Sequence, residues 1–363
     1  LYSINRFTNV VGRNITLKLS PWENIAEKTV TTKSIFGTEE KPVKDIKGLS
    51  VLDYLVLYKK FTYKAQENYR LDTIANVELG ERKLDYSEHG SLLQLYKNDH
   101  QKFIEYNVKD VELVERLEQK LGLLEQVYAL AYDAKVNFAD ALTSVKMWDV
   151  IIHNHLMDQN IVVPSKPMEV TKSSKIKGGY VKEPVPGMYN WVCSFDLDSL
   201  YPHLIMQYNI SPDTFVGHVG KSVTVDSILK GQLHEQNLKE SLDSSNCCIT
   251  GSGYMFSKKK KGFLSELMET MYEDRVKYKN MMKDASKKYK ETGEEKHRLD
   301  ISRYHNMQMA KKIQLNSAYG ALANEWFRWF NNTYAESITL SGQLSIRWIE
   351  KKLNEYINKV LGT

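Results

Sequence analysis

Asp196 and Asp198 stand two residues apart in SFDLDSLYP, where an apolar run gives way to a turn. In a regular strand they would share a face. Carboxylate oxygens at a strand end can hold a hard cation such as Mg²⁺. Equally, one of them could cap the next helix or face water. A second group sits on two helix-like stretches. Arg275 and Lys279 are four apart, and Lys312, Asn316 and Tyr319 fall at i, i+4 and i+7, so each set shares a face. Such cations can grip a triphosphate while the ring stacks on a base or sugar. A solvated basic helix explains the same charges, because Lys277, Lys283, Lys287 and Lys288 lie nearby. Gly320 follows Tyr319 inside a helical pattern, at a cost of about 1 kcal/mol against alanine, which hints at close approach by a backbone or ligand. Tyr106 and Asp110 form a third pair, four apart. A metal-bound carboxylate beside a phenol could orient a water; a structural pair is the plain alternative. His153-Asn154-His155, the Lys258–Lys261 run and Cys247-Cys248 carry no spacing that a site requires.

These residues need elements to position them. The stretch from Cys193 reads as a buried strand running into a helix, and Leu49 to Leu57 reads the same way. From Ser91 to Tyr128 apolar residues recur at helical steps, and SVKMWDVIIHNHLMDQN continues the pattern. Pro164, Pro167, Gly178, Gly179, Pro184, Pro186 and Gly187 then mark a linker or long loop. Helices are expected from about Leu264 to Tyr289 and from Leu299 to Leu322, joined by the polar KETGEEKHR as an αα-hairpin. A last helix is expected over Ser337–Val360.

Composition sets the outer bounds. The 363 residues are enough for two or three cores, and 26% well-mixed charge excludes a disordered or fibrous chain. A net charge of +5 permits a polyanionic partner without requiring one. Three cysteines without a Cys-x-x-Cys indicate neither a disulfide framework nor a zinc site, and suit a reducing compartment. No apolar run approaches the ~20 residues of a membrane span, and no signal peptide is seen. The chain begins at Leu1 and ends at Thr363 directly after a helix, so both ends read as cuts.

SFDLDSLYP with NISPDT, and later KKIQLNSAYGALAN, resemble the first two polymerase motifs of family B DNA polymerases. SVLDYLVLYKKF, IEYNVKDVELV, KMWDVIIHNHL, GGYVKEPVP, NEWFRWF and RWIEKKLNEY resemble the branch of T-even-type bacteriophage replicative enzymes, in the right order and across almost the whole chain. The resemblance implies an α+β chain. Residues 1–122 would be the C-terminal part of an RNase H-like 3′→5′ exonuclease domain, and 123–167 a helical connector. Residues 168–261 and 325–363 would be parts of a truncated ferredoxin-like palm, and 262–324 a helical-hairpin fingers domain.

The resemblance also implies roles. Asp196 and the Leu197 carbonyl would bind Mg²⁺, and Ser199 and Leu200 would offer N–H groups to the triphosphate. Tyr201 would be the steric gate against a 2′-hydroxyl, which accounts for a bulky ring so close to the carboxylate. Arg275, Lys279, Lys312 and Asn316 would hold the incoming dNTP, with Tyr319 and Gly320 lining the nascent pair. Tyr106 and Asp110 would form the third exonuclease motif, with Asp110 a metal ligand, and Gly178-Gly179-Tyr180 would touch template. Primer–template DNA, dNTP, a sliding clamp and other replisome proteins are the implied partners, with no membrane, in the cytoplasm of an infected bacterial host.

Some features depart from the family pattern. His203 replaces a common serine, and Asp198 stands where relatives often carry a neutral residue. The third polymerase motif and the first two exonuclease motifs are not in the sequence, so the chain alone is expected to be an inactive fragment. A half of a split polymerase, completed by a partner chain, is a second reading. A nucleotide-sugar glycosyltransferase using Asp196 and Asp198 is a third, but it gives no reason for Lys312, Asn316 and Tyr319.

Overall fold

The computed structural model describes residues 2–34, 37–62, 64–166, 176–189, 192–220, 223–232 and 242–362. Pro167, the boundary expected at 167/168 and Thr363 lie outside the described residues. The chain divides into two units, Leu1–Tyr63 and Lys64–Thr363.

In the first unit, β1 (Ile25–Ser34) and β2 (Gly37–Ile46) pair as an antiparallel ribbon with Ile25 opposite Ile46. Helices α1 (Tyr2–Val11), α2 (Arg13–Leu17) and α3 (Tyr54–Phe61) complete it. The strand expected ahead of α3 is not formed, since residues 49–53 are irregular. Asp53 instead accepts the Leu55 N–H at 2.9 Å, and this N-cap starts the helix where the strand signal would have continued.

The second unit carries the helices that flank the motifs. The long pattern from Ser91 breaks twice, giving α5 (Leu92–Asn98), α6 (His100–Leu121) and α7 (Leu123–Ala134) after α4 (Leu71–Leu79). Asp99 caps α6 by accepting the Lys102 N–H at 2.9 Å. Gly122, at φ 61°, turns the chain between α6 and α7 in a conformation that glycine adopts without strain. Short α8 (Phe138–Ala141) leads to α9 (Ser144–Asp158). Trp148 of α9 is fully buried, and its indole N–H faces the Gln314 carbonyl at 3.2 Å and Ser317 Oγ at 3.1 Å.

Beyond α10 (Leu200–Gln207) and α11 (Val225–Leu229), the hairpin forms as expected but longer, with α12 over Phe263–Thr292 and α13 over Glu295–Leu322. The last helix, α14, spans Asn332–Leu361 and is capped by Asn331, which accepts the Thr333 N–H at 2.8 Å. A three-stranded antiparallel sheet orders β3 (Phe215–His218), β5 (Tyr254–Ser257) and β4 (Cys247–Ile249) with β5 central. The turn between β4 and β5 lies on α14. A Cβ on Gly251 would come within 2.7 Å of the Leu340 carbonyl, so only glycine fits there.

The strand expected from Cys193 is absent. Residues 192–197 join no sheet, because no described strand lies beside them to complete a ladder. Val192 and Phe195 stay 78% and 68% exposed in consequence.

One buried cation ties the hairpin to α7. Lys311 of α13 lies 2.9 Å from Asp133 and 3.0 Å from Asp274 of α12. Burial works against its charge, but the two carboxylates outweigh burial and hold the ammonium above the ordinary lysine range. This contribution is full below the unfolded lysine pKa of about 10.4 and is lost as pH rises through the raised folded value. Lys311→Met should therefore lower unfolding stability by roughly 3 kcal/mol at neutral pH, read by denaturant titration, with a smaller difference in strong alkali.

Candidate functional site

The turn between Leu197 and α10 is the centre of the site. Ser199 sits at φ 53°, a left-handed conformation that costs a non-glycine residue about 1–2 kcal/mol. His203, one turn into α10, holds it. The His203 backbone N–H donates to the Ser199 carbonyl at 3.1 Å, and Nδ1 lies 2.9 Å from the same oxygen. That contact assigns the ring proton to Nδ1. The His203 ring packs edge-on against Tyr272 of α12, centroids 4.6 Å apart. His203 thus fastens the turn to the hairpin.

The strained turn presents Asp198 and Ser199 to the hairpin. Arg275 of α12 donates from Nη1 to Ser199 Oγ at 2.8 Å and faces Asp198 Oδ1 at 3.4 Å. Burial opposes ionisation of Asp198, yet the positive charges of Arg275 and Lys279 and the Ser199 hydroxyl hold its carboxyl below the ordinary aspartate range. On α13, Lys312, Asn316 and Tyr319 follow one another along a face, and the Tyr319 ring meets Tyr201 with centroids 5.0 Å apart at 56°. Burial pushes the Tyr319 phenol up, and proximity to Tyr201 adds to this.

Tyr201 is fitted by two glycines. A Cβ on Gly342 of α14 would lie 3.2 Å from Tyr201 Cε1, and one on Gly179 would lie 3.3 Å from its hydroxyl. Gly342 was missed by sequence reasoning, although a glycine within a helical run was a usable signal. Gly320 behaves otherwise. Its face is open, with nothing within 4 Å of a Cβ, so no described backbone makes the close approach expected of it. Residues 177–180 are held on α14 beside Tyr201. Thr339 Oγ1 donates to the Lys177 carbonyl, and Gln343 Nε2 to the Gly178 carbonyl, each at 2.7 Å. Arg347 lies over the Tyr180 ring, 5.4 Å from its centroid.

Asp196 takes another direction from Asp198. It lines a groove of about 950 Å³ with Phe195, Leu197, Leu200, Ile349 and Leu353. The two carboxylates do not act as a same-face pair, because no regular strand fixes their alternation and the chain turns at Asp198. Asp196 is exposed, and among the described residues no cluster of three or more acidic, histidine or cysteine side chains is poised for a metal.

Tyr106 and Asp110 share a face of α6 as expected, joined by a residue the sequence reading overlooked. Lys83 pairs with Asp110 Oδ2 at 2.7 Å and lies over the Tyr106 ring, 4.8 Å from its centroid. Asp110 Oδ1 is buried without a hydrogen-bond partner. Tyr106 is buried and meets Tyr86 edge-on at 5.2 Å. Nothing local in the sequence links Lys83 to Asp110, since they lie on separate segments.

Residues 141–362, more than half of the chain, match the profile of DNA polymerase family B, and the chain belongs to that family. It is 31% identical to a DNA-directed DNA polymerase of Escherichia phage RB69 and 30% identical to that of Enterobacteria phage T4. Each alignment covers 100% of this chain and 43% of the relative. DNA polymerase 1 of Pyrococcus abyssi is 31% identical over 56% of the chain and 23% of its own length. The chain thus spans less than half the length of the curated relatives it matches.

Removing Lys83 leaves a partly buried carboxylate unpaired. Lys83→Met should cost about 1–2 kcal/mol of stability, and Lys83→Met/Asp110→Asn should recover part of it in a double-mutant cycle by denaturant titration.

Proposed function

We propose that this chain carries the nucleotide-binding half of a template-directed DNA polymerase. The enzyme would join a dNTP to a primer 3′-hydroxyl with release of pyrophosphate. One observation carries the reading: a single strained turn places Arg275 of the hairpin on Ser199 and Tyr319 of the hairpin on Tyr201. In this reading residues 262–324 are fingers, and the segments on either side of them are parts of the palm. The N–H groups at the start of α10 and the cations Arg275, Lys279 and Lys312 would take the triphosphate, whose dispersed negative charge suits helix N-termini and guanidinium groups. Tyr201, pressed by Tyr319, Gly179 and Gly342, would lie under the sugar with little freedom to yield to a 2′-hydroxyl.

The exposed Asp196 carboxylate and the Leu197 carbonyl are hard oxygen donors suited to Mg²⁺. Bound there, the ion would neutralise phosphate charge and lower the pKa of the attacking hydroxyl. The two-metal arrangement of such reactions needs more donors than these two supply. Tyr106 and Asp110 would belong to a proofreading 3′→5′ exonuclease of the whole enzyme. Lys83 neutralises Asp110 here, and the unpartnered Oδ1 leaves one oxygen for a further ligand. Primer–template DNA would pass Gly178, Gly179 and Tyr180. A sliding clamp and the cytoplasm of an infected bacterium are the corresponding partner and setting. Among the described residues no helix is long and apolar enough to cross a membrane.

Calorimetric titration of the chain with dATP and Mg²⁺ tests the site. Binding should weaken roughly tenfold or more in Arg275→Gln and in Lys312→Ala, since hydrogen bonds to charged groups are worth about 1.5–3 kcal/mol. Equal affinity in all three proteins would remove the assignment. In the full-length enzyme, Tyr201→Ala should raise ribonucleotide incorporation relative to deoxyribonucleotide at least tenfold, measured as the ratio of kcat/KM values.

A further inference from the structure

Asp198 introduces a negative charge into the middle of a site otherwise built from cations. Its carboxylate faces the Arg275 guanidinium at 3.4 Å, and the Ser199 hydroxyl lies 3.3 Å from the same oxygen. A carboxylate in this position meets the guanidinium that a phosphate would meet. Both ligands offer two or more oxygens to the planar fork, so the chemistry of recognition is shared.

The two sides of the contact differ in burial. The Arg275 side chain is only 11% exposed, and its Nε is buried with no hydrogen-bond partner. It is packed into place with donor capacity unused. Asp198 is 64% exposed, and among the described residues its carboxylate meets, beyond Arg275, only the hydroxyl of its neighbour Ser199. The arginine is therefore the fixed partner, and the aspartate can leave it at small cost. Its neighbour Asp196 lines the groove on the α14 side, so the two acidic groups serve different places.

We propose that Asp198 is a tethered anion that occupies Arg275 in the nucleotide-free protein and competes with the incoming triphosphate for it. The proposal rests on the nucleotide reading of the site. When a triphosphate enters, the carboxylate swings out to water and the guanidinium exchanges one oxyanion for another. No bond is made or broken, and the net effect is a weaker apparent affinity for polyphosphate than the cations alone would give. Asp198 thus sets the nucleotide concentration at which the hairpin engages.

The test uses the full chain and two probes: inorganic tripolyphosphate in EDTA, and dATP with Mg²⁺. Asp198→Asn is nearly isosteric at an exposed position. It should bind both probes about two- to fivefold more tightly than the parent, the range of an exposed ion pair. In the Arg275→Gln background the same substitution should change neither affinity, since the competition needs the guanidinium. Thermal unfolding of each variant checks that the fold is intact. Unchanged or weaker tripolyphosphate binding by Asp198→Asn overturns the proposal. Weakening seen only with dATP and Mg²⁺ also overturns it, and makes Asp198 a metal ligand. If Arg275→Gln weakens binding while Asp198→Asn does not strengthen it, the nucleotide reading stands and only the competition falls. If no variant binds either probe, both fall together.

Discussion

The site depends on one guanidinium crossing from the hairpin to a strained turn. Ser199 stores about 1–2 kcal/mol in its left-handed backbone. Such strain persists only where neighbours over-determine the conformation. Here His203 binds the Ser199 carbonyl from within α10, and Arg275 binds the Ser199 hydroxyl from α12. The first contact fixes the turn to its own helix and the second fixes it to the hairpin. Both the hydroxyl and the Asp198 carboxylate are met by one nitrogen, Arg275 Nη1.

Adjacent lysines on α13 show how finely the helix divides its work. Lys311 and Lys312 differ by one residue, which rotates their side chains by about 100°. Lys311 turns into the seam with Asp133 and Asp274, where it is 9% exposed and stabilises the packing of the hairpin on α7. Lys312 falls on the face of Asn316 and Tyr319, the face that reaches Tyr201. A charge count cannot separate these roles, but the helical register can.

The parts legible in the sequence were those whose determinants are local. The hairpin, α9 and α14 follow from apolar residues at helical steps, and each matches within a few residues. The spacing of Lys312, Asn316 and Tyr319 put them on one face of α13, but that Tyr319 meets Tyr201 was not legible in the sequence. What was missed depended on partners distant in the chain. Lys83 finds Asp110 only after α4 and α6 pack, and Gly342 finds the Tyr201 ring only after α14 docks on α10. The expected strand at Cys193 failed for a related reason. A strand needs neighbours, and none of the described strands pairs with it. Asp198, read in the sequence only as a departure from the family pattern, became informative once its distance to Arg275 was known.

The most direct measurement is a crystal structure of the chain soaked with dATP and Mg²⁺. The triphosphate should lie between the N-terminus of α10 and the side chains of Arg275, Lys279 and Lys312, with its sugar over Tyr201. A triphosphate bound elsewhere, with Arg275 still on Ser199 and Asp198, would contradict a single nucleotide site shared by the turn and the hairpin.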